Sequence, residues 1–278
     1  MKKLFISGLI IFIVFFIGGT ITWFAFDKAT YEKQNYYKTF SNNFSNVSVN
    51  TIGSEINVIE GKKFKIDYKG DNDIFVSKKR NTLKVTEKRA TNRGYGLNFN
   101  PFHRNKKKLT LEVPDKKLKN LNVDSLIGDI HLKNLKVNNT TVINHRLFSM
   151  DNSNLNNLNF GSSGRKANIN DSTVQKGNIK MNLGKILVNH SQLKDSIFLL
   201  NRGDILMKNM KSSNDIKAST KQGNIKYNFG EKPNDTLLKL HPGRGKKVVN
   251  NKYFKEGKVG KSNNILEFYT VDGDITVD

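Results

Sequence analysis

Gly203-Asp204-Ile205 is one of five copies of the same short phrase. The others are Gly128-Asp129-Ile130, Gly177-Asn178-Ile179, Gly223-Asn224-Ile225 and Gly273-Asp274-Ile275. The intervals along the chain are 49, 26, 20 and 50 residues. They fit one or two copies of a unit of roughly 20 to 26 residues, the range of solenoid repeats. Each phrase reads as a turn followed by the start of a strand. Glycine accepts a positive φ, the Asp or Asn side chain caps the turn, and isoleucine begins an inward-facing β position. Asp and Asn interchange at the second position. A cap tolerates that exchange, whereas a catalytic carboxylate does not.

Outward from these phrases the chain keeps a β rhythm. Val47/Val49, Ile56/Val58, Phe64/Ile66/Tyr68, Ile74/Val76 and Leu83/Val85 alternate with polar residues, which predicts five short half-buried strands. Leu109, Leu111 and Val113 form another, ending at Pro114. From Leu118 to about residue 230 short strands alternate with Asn-, Ser- and Asp-bearing turns, and no helical stripe of useful length appears. Asn182, Asn189 and Asn209 are candidates for amide ladders between rungs. Residues 231–278 are expected to form a capping segment over the last rung, since an uncapped solenoid leaves a sticky edge. Residues 87–108 break the rhythm. Tyr95, Phe99 and Phe102 stand among Arg93, Arg104 and Lys106-Lys107-Lys108. This pattern would suit stacking on bases or a lipid surface, but a long exposed hairpin loop is the simpler reading.

The amino terminus is of another kind. Lys2 and Lys3 precede an uncharged run from Leu4 to Phe26. At about 1.5 Å per residue it spans roughly 34 Å, enough to cross a hydrocarbon core of about 30 Å. The run exceeds a signal-peptide core and lacks a small-residue cleavage site, so it reads as an uncleaved signal-anchor. Residues 1–26 are then the cytoplasmic tip and transmembrane helix, 27–43 a polar juxtamembrane linker of unassigned structure, and 44–278 the β-repeat domain. Lys28, Lys33 and Lys38 follow the helix, so flanking charge barely sets its orientation. The segment's position, where a secretion signal sits, favours an extracytoplasmic carboxy-terminal domain.

Chemistry-bearing patterns are sparse. The chain has no cysteine, which excludes disulfides, thiolate metal sites and a lipoprotein anchor. His103, His131, His145, His190 and His241 are dispersed and show no metal-ligand spacing. Asp272-Gly273-Asp274 with Asp278 lacks the other ligands of a calcium loop and reads as turn caps. Gly243-Arg244-Gly245-Lys246-Lys247 lacks the spacing and the Ser or Thr of a phosphate loop. No catalytic, cofactor-binding or metal residue is therefore expected, and no cofactor. The alternative is a β-helix polysaccharide lyase or hydrolase, which would need Asp129, Asp204 and Asp274 aligned along one edge. Asn178 and Asn224 at the same position argue against it.

Charge carries the strongest functional hint. The formal net charge is +23, and Lys2 and Lys3 are the only charged residues of the first 26, leaving +21 on the rest. Such a field recruits polyanions. For a tethered extracytoplasmic domain these are anionic lipid head groups and wall polymers such as teichoic acids. The bland alternative is that the lysines only solubilise a repetitive β surface. Nucleic acid has no motif behind it and is not expected as a partner.

Several stretches together resemble one bacterial family. They are the opening β segment Val47–Val85, Leu109–Pro114 leading through Leu121-Asn122-Val123 to Gly128-Asp129-Ile130, the spaced Gly-[Asp/Asn]-Ile phrases, and Gly260–Leu266 with Thr270–Ile275. Over roughly residues 44–278 these resemble the membrane-anchored β-strand-repeat proteins called "putative adhesins", LiaG-like proteins of Gram-positive bacteria among them. The resemblance implies a single-stranded parallel β-solenoid, commonly encoded near envelope-stress or membrane-protein regulators, so an envelope membrane-protein partner is in view. The family often has Ser-Gly-Asp-Ile. Here Ile127, Lys176, Arg202 and Gln222 precede the glycine, which leaves the turn type open. The family offers no established catalytic residues to carry over. The expected molecule is an all-β single-stranded parallel β-solenoid behind a transmembrane helix, non-enzymatic, acting as a cell-envelope interaction or scaffold module.

Overall fold

The computed structural model describes residues 2–27, 34–89, 107–115 and 118–278. Most of the stretch read as an exposed loop, including Arg93, Tyr95, Phe99, Phe102, His103 and Arg104, lies outside the described residues.

The helix α1 (Lys2–Thr22) runs into a wider turn at Trp23–Asp27. The apolar stretch Lys2–Ala25 is long and apolar enough to cross a membrane. Its hydroxyls need no outside partner. Ser7, Thr20 and Thr22 donate to the carbonyls of Lys3, Phe16 and Gly18 at 3.0, 2.7 and 2.8 Å, which keeps polar hydrogens away from lipid.

The rest is β. The amino-terminal strands are β1 (Gln34–Phe40), β2 (Asn46–Thr51), β3 (Glu55–Gly61), β4 (Phe64–Gly70), β5 (Asp73–Lys79), β6 (Thr82–Lys88) and β7 (Lys108–Pro114). The middle holds β8 (Leu118–Ser125), β9 (Ile130–Lys133), β10 (Lys136–Asn144), β11 (Leu147–Asp151), β12 (Asn154–Ser162), β13 (Lys166–Asn170), β14 (Thr173–Leu183), β15 (Lys185–Asn189) and β16 (Gln192–Leu193). Then come β17 (Ser196–Arg202), β18 (Ile205–Met210), β19 (Ile216–Gln222), β20 (Ile225–Phe229), β21 (Thr236–His241), β22 (Lys247–Val249), β23 (Lys258–Val259), β24 (Asn264–Asp272) and β25 (Ile275–Val277). They build a 12-stranded sheet A and a 13-stranded sheet B, and through the middle the chain alternates between them. Each pass through both sheets is one rung of a solenoid-like stack.

Ile130, Phe148, Ala167, Ile186, Ile205 and Ile225 are successive register partners in sheet A. The rung is therefore 18 to 20 residues long, shorter than the interval read from the phrases. The reason lies at Gly177-Asn178-Ile179, which is not a corner at all. It sits inside β14 of sheet B, where Gly177 pairs with Ser196. The 26-residue spacing joined two different places in the rung.

Parallel pairing dominates, with antiparallel exceptions at the two ends. β1 with β4, β4 with β7, β5 with β6 and β21 with β23 are antiparallel. Hairpins there cover strand edges that a purely parallel coil would leave open. Both ends also invert chain order. β2 and β3 sit inside β6 and β7, and β24 and β25 sit inside β21 and β22. Hence Gly273-Asp274-Ile275 is not the last corner in space; Gly245-Lys246-Lys247 stacks outside it. The stretch 27–43, left unassigned from sequence, contains β1, which adds an edge strand to sheet A.

The core is the set of side chains between the two sheets. Phe148 stacks on Phe160 with centroids 4.7 Å apart. Large and small alternate along sheet B, where Ala218 lies between Phe198 and Phe268, so opposing rows can interdigitate. Tyr227 is fully buried, and its hydroxyl accepts from Asn214 Nδ2 at 3.0 Å.

The corners fix the stack. Gly203, Gly223 and Gly273 have φ of 129°, 141° and 152°. A Cβ on any of them would lie inside the carbonyl oxygen of the glycine one rung earlier. Gly223→Ala should therefore cost about 2–4 kcal/mol. Gly161, with ordinary φ and nothing near an added Cβ, should accept alanine within about 0.5 kcal/mol. Thermal unfolding of the full chain in mild detergent, followed by its β-sheet dichroism, reads both; equal effects would contradict the close-stacked corner.

Candidate functional site

The recurring acidic residues come first, because the enzyme reading depended on them. Asp204, Asn224 and Asp274 do form one column at the corner. Asp204 Oδ1 accepts from the Asn224 backbone N–H at 3.0 Å, Asn224 Oδ1 from Asp274 at 2.8 Å, and Asp274 Oδ1 from Lys246 at 2.8 Å. Asp129 does the same for Leu147 at 3.3 Å and pairs with Arg146 at 3.2 Å. The cap thus acts across rungs, holding the next corner rather than its own. Asn178 is absent from this column because it lies in sheet B.

The other motifs dissolve into structure. Gly243-Arg244-Gly245-Lys246-Lys247 is the outermost corner of the same stack, with Arg244 paired to Asp272. Asp278 is taken by Asn250 at 2.8 Å and Lys226 at 3.1 Å. His145 meets Ser163, His190 meets Asp171, and His241 stacks on Tyr269. Among the described residues no group of three His, Asp or Glu could hold a metal ion.

Amide ladders are present at two of the expected places. Asn201 donates to Asn182 at 3.0 Å and Asn209 to Asn189 at 3.2 Å. A longer ladder, unanticipated, runs Asn157 to Asn139 to Asn120 to Asn46 at 2.8, 3.0 and 2.7 Å. Its register was hidden because β2 lies 74 residues from β8 in sequence yet beside it in space.

Glu87 is a buried carboxylate that sequence reading passed over. It is 2% exposed. Its Oε2 accepts the backbone N–H groups of Ile52, Gly53 and Ser54 at 2.9, 3.1 and 3.2 Å. Its Oε1 accepts from Ser54 Oγ and Asn72 Nδ2, each at 2.6 Å. Burial by itself would raise this carboxyl, but the hydrogen bonds from Ser54, Asn72 and the backbone N–H groups outweigh it and hold it below the ordinary value of 4.5. Neighbouring Tyr68 is pushed up to about 12, chiefly by burial. Glu87 belongs to β6, the strand outside β2, and organises the β2–β3 corner from that neighbouring rung.

One surface feature suited to a ligand is a cleft of about 510 Å³ on the outer side of sheet B. Gly161, Lys180, Leu199 and Ser219 are outward register partners on successive rungs. Gly161 leaves a gap in this row. Leu199, 40% exposed, gives an apolar floor, with exposed Ile143 and Ile197 nearby. Lys180 and Lys221 line the cleft with Asn182 and Asn201. Arg165, Lys166 and Arg202 follow at the adjoining corner. Among the described residues none of these five bases is in an ion pair, whereas Arg146, Lys176 and Lys217 are paired.

A known family matches most of the chain. The family model described as Toastrack DUF4097 covers residues 44–278. The chain belongs to the DUF4097 toastrack family. β1 precedes the matched region, so this toastrack protein carries one edge strand outside it. Similar solved structures include a "putative adhesin" from Parabacteroides distasonis, 10% identical, covering 89% of this chain and 97% of that one, with a TM-score of 0.48. A "putative adhesin" from Bacteroides fragilis is 16% identical over 89% and 98%, with a TM-score of 0.41. A "putative cell adhesion protein" from Clostridium sporogenes is 15% identical over 88% and 99%, with a TM-score of 0.31. No curated protein matches the chain.

Glu87 gives this subsection its test. A folded-state carboxyl below its unfolded value contributes stability above that unfolded value and loses it as pH falls through the folded one. Glu87→Gln should cost on the order of 2–3 kcal/mol at neutral pH, with the gap from wild type closing as pH drops below about 4.5. A pH-independent gap in thermal unfolding would refute the ionised, hydrogen-bonded state.

Proposed function

We propose that this toastrack protein is a non-enzymatic interaction module of the cell envelope. α1 is an uncleaved signal-anchor, the β domain is extracytoplasmic, and its flank binds anionic wall polymer. The observation that carries this reading is the group of bases Arg165, Lys166, Lys180, Arg202 and Lys221, spread over successive rungs beside an apolar cleft and, among the described residues, outside any ion pair. Rungs stack about 4.8 Å apart, so cations carried on successive rungs lie within reach of one polymer chain. A flexible polymer of repeating phosphates can engage several at once, each contact releasing counterions. The apolar floor with exposed Leu199 supplies contact for the less polar links between charges. The single-stranded β-solenoid supplies the rigid, repetitive face that this recognition uses. On this reading the corner carboxylates are spent on backbone capping, which leaves the flank with binding groups and no reactive ones.

Two measurements check the reading. Teichoic acid titrated onto the full chain in neutral detergent should bind with affinity that falls as salt rises. Lys180→Glu with Lys221→Glu should weaken it several-fold and flatten the salt dependence; salt-insensitive or absent binding would defeat the proposal. Protease added to intact, wall-stripped cells should degrade residues 30–278, and full protection would reverse the orientation.

A further inference from the structure

We propose that the amino-terminal end of the β domain is a docking face for the anionic surface of the bilayer that α1 enters. The inference rests on α1 crossing the membrane, and concerns a different surface from the polymer-binding flank.

Chain length brings this end to the membrane. Seven residue steps separate Asp27, the last residue of the helical segment, from Gln34, the first of β1. Fully extended, they reach at most about 25 Å. β1 is the edge strand of sheet A and β5 the edge strand of sheet B, and both lie at the same end of the stack. The end nearest the bilayer is therefore the one these two strands close.

Its chemistry suits a head-group layer. The register places Phe40 opposite Phe64, so the Lys62-Lys63 turn lies at the end of β1. Lys78 of β5 reaches the same point, its Nζ 4.8 Å from the Phe40 ring centre, with Lys38 Nζ at 5.8 Å. Lys79 and Arg80 continue into the β5–β6 turn. Lysines from two chain segments thus meet at one aromatic ring, and the Lys62-Lys63 turn adds two more at the same end of β1. Among the described residues none of Lys38, Lys62, Lys63, Lys78, Lys79 and Arg80 is in an ion pair. The acids of this end are placed otherwise. Asp71 is held by Lys107 at 2.7 Å, Glu87 is buried, Asp67 sits opposite Tyr37, and Asp73 is at the far end of β5. Tyr37 and Phe75 are 65% and 52% exposed on the two edge strands, with Lys65 and Lys88 over their rings at 5.2 and 4.9 Å. Lys65 is itself paired to Glu112 at 2.9 Å, so the free cations here are those around Phe40 and in the Lys62-Lys63 and Lys79-Arg80 turns. Exposed rings on the same end as these cations match an interface where apolar rings enter the head groups and cations meet phosphates. Tethering adds effective concentration, so individually weak contacts suffice.

The test uses the full chain in lipid nanodiscs. With no native cysteine, Ser77→Cys on β5 or Val248→Cys on β22 carries the only fluorophore. Sheet A has 12 strands, so Val248 lies about 50 Å from the docking face at about 4.8 Å per strand. In discs containing phosphatidylglycerol and head-group spin labels, the Ser77→Cys probe should be quenched at least twofold more than in neutral discs. High salt should abolish the difference, as should Lys62→Glu with Lys63→Glu and Lys79→Glu. Lys180→Glu with Lys221→Glu should leave it intact. The Val248→Cys probe should stay unquenched. Equal quenching in neutral and anionic discs, or none in either, overturns docking while leaving the anchor and the polymer-binding flank standing. A chain that fails to co-purify with the discs removes the anchor and the docking together.

Discussion

At the corner where sheet B passes to sheet A, one rung's backbone lies directly on the next, with no space for a Cβ between them. Ile205 and Ile225 donate their backbone N–H groups to the carbonyls of Asn224 and Asp274, at 2.9 and 3.0 Å. The Asp or Asn side chain holds the following corner from the side. This contact sets the rung length, and rung length sets which residues become columns. The inward columns are the core. The outward columns are the surface on which any function must be written. A single insertion at a corner would shift every later column, because in strands a one-residue slip exchanges the two faces.

Ends need other solutions, since they lack a neighbour on one side. At the amino-terminal end Glu87, on the outer strand β6, supplies the capping oxygens for the β2–β3 corner. Antiparallel β1, β4, β5 and β6 close the stack there, and Phe40, Phe44 and Phe64 pack edge-to-face over the core, with centroids 5.8 and 5.1 Å apart. At the other end the chain folds back so that β24 and β25 complete the regular stack and β21 and β22 lie outside. The two ends consequently differ in how their strands are closed.

Much of this was legible in the residues. Period-two alternation located β2 to β7, and the glycine phrases located the corners at Gly128, Gly203, Gly223 and Gly273. Two rungs were missed because their corners read Arg146-Leu147-Phe148 and Arg165-Lys166-Ala167, without the glycine. Arg165 takes a φ of 88° where its neighbours use Gly184 and Gly203. Gly184-Lys185-Ile186 was missed for its lysine, and Gly177 was included because a local phrase does not say which sheet it belongs to. Inverted order at the ends is a matter of contacts between distant segments, and no local pattern carries it. The cleft was equally hidden, since Gly161, Lys180, Leu199 and Ser219 become neighbours only once the rung length is known. Glu87 reads from sequence as the first residue of the exposed 87–108 loop, whereas it lies in β6 and is buried; its burial follows from the β2–β3 loop 33 to 35 residues away.

The central claim is that the second position of the corner phrase is a backbone acceptor reaching one rung onward, and nothing more reactive. Asp204 tests it most directly, with its Oδ1 on the Asn224 N–H. Denaturant unfolding of Asp204→Asn should match wild type within about 0.5 kcal/mol, as Asn224 already shows that an amide serves, while Asp204→Ala should lose about 1 kcal/mol. Equal losses in both variants would contradict the account, because the carboxylate's charge, and not its acceptor oxygen, would then be what the corner requires.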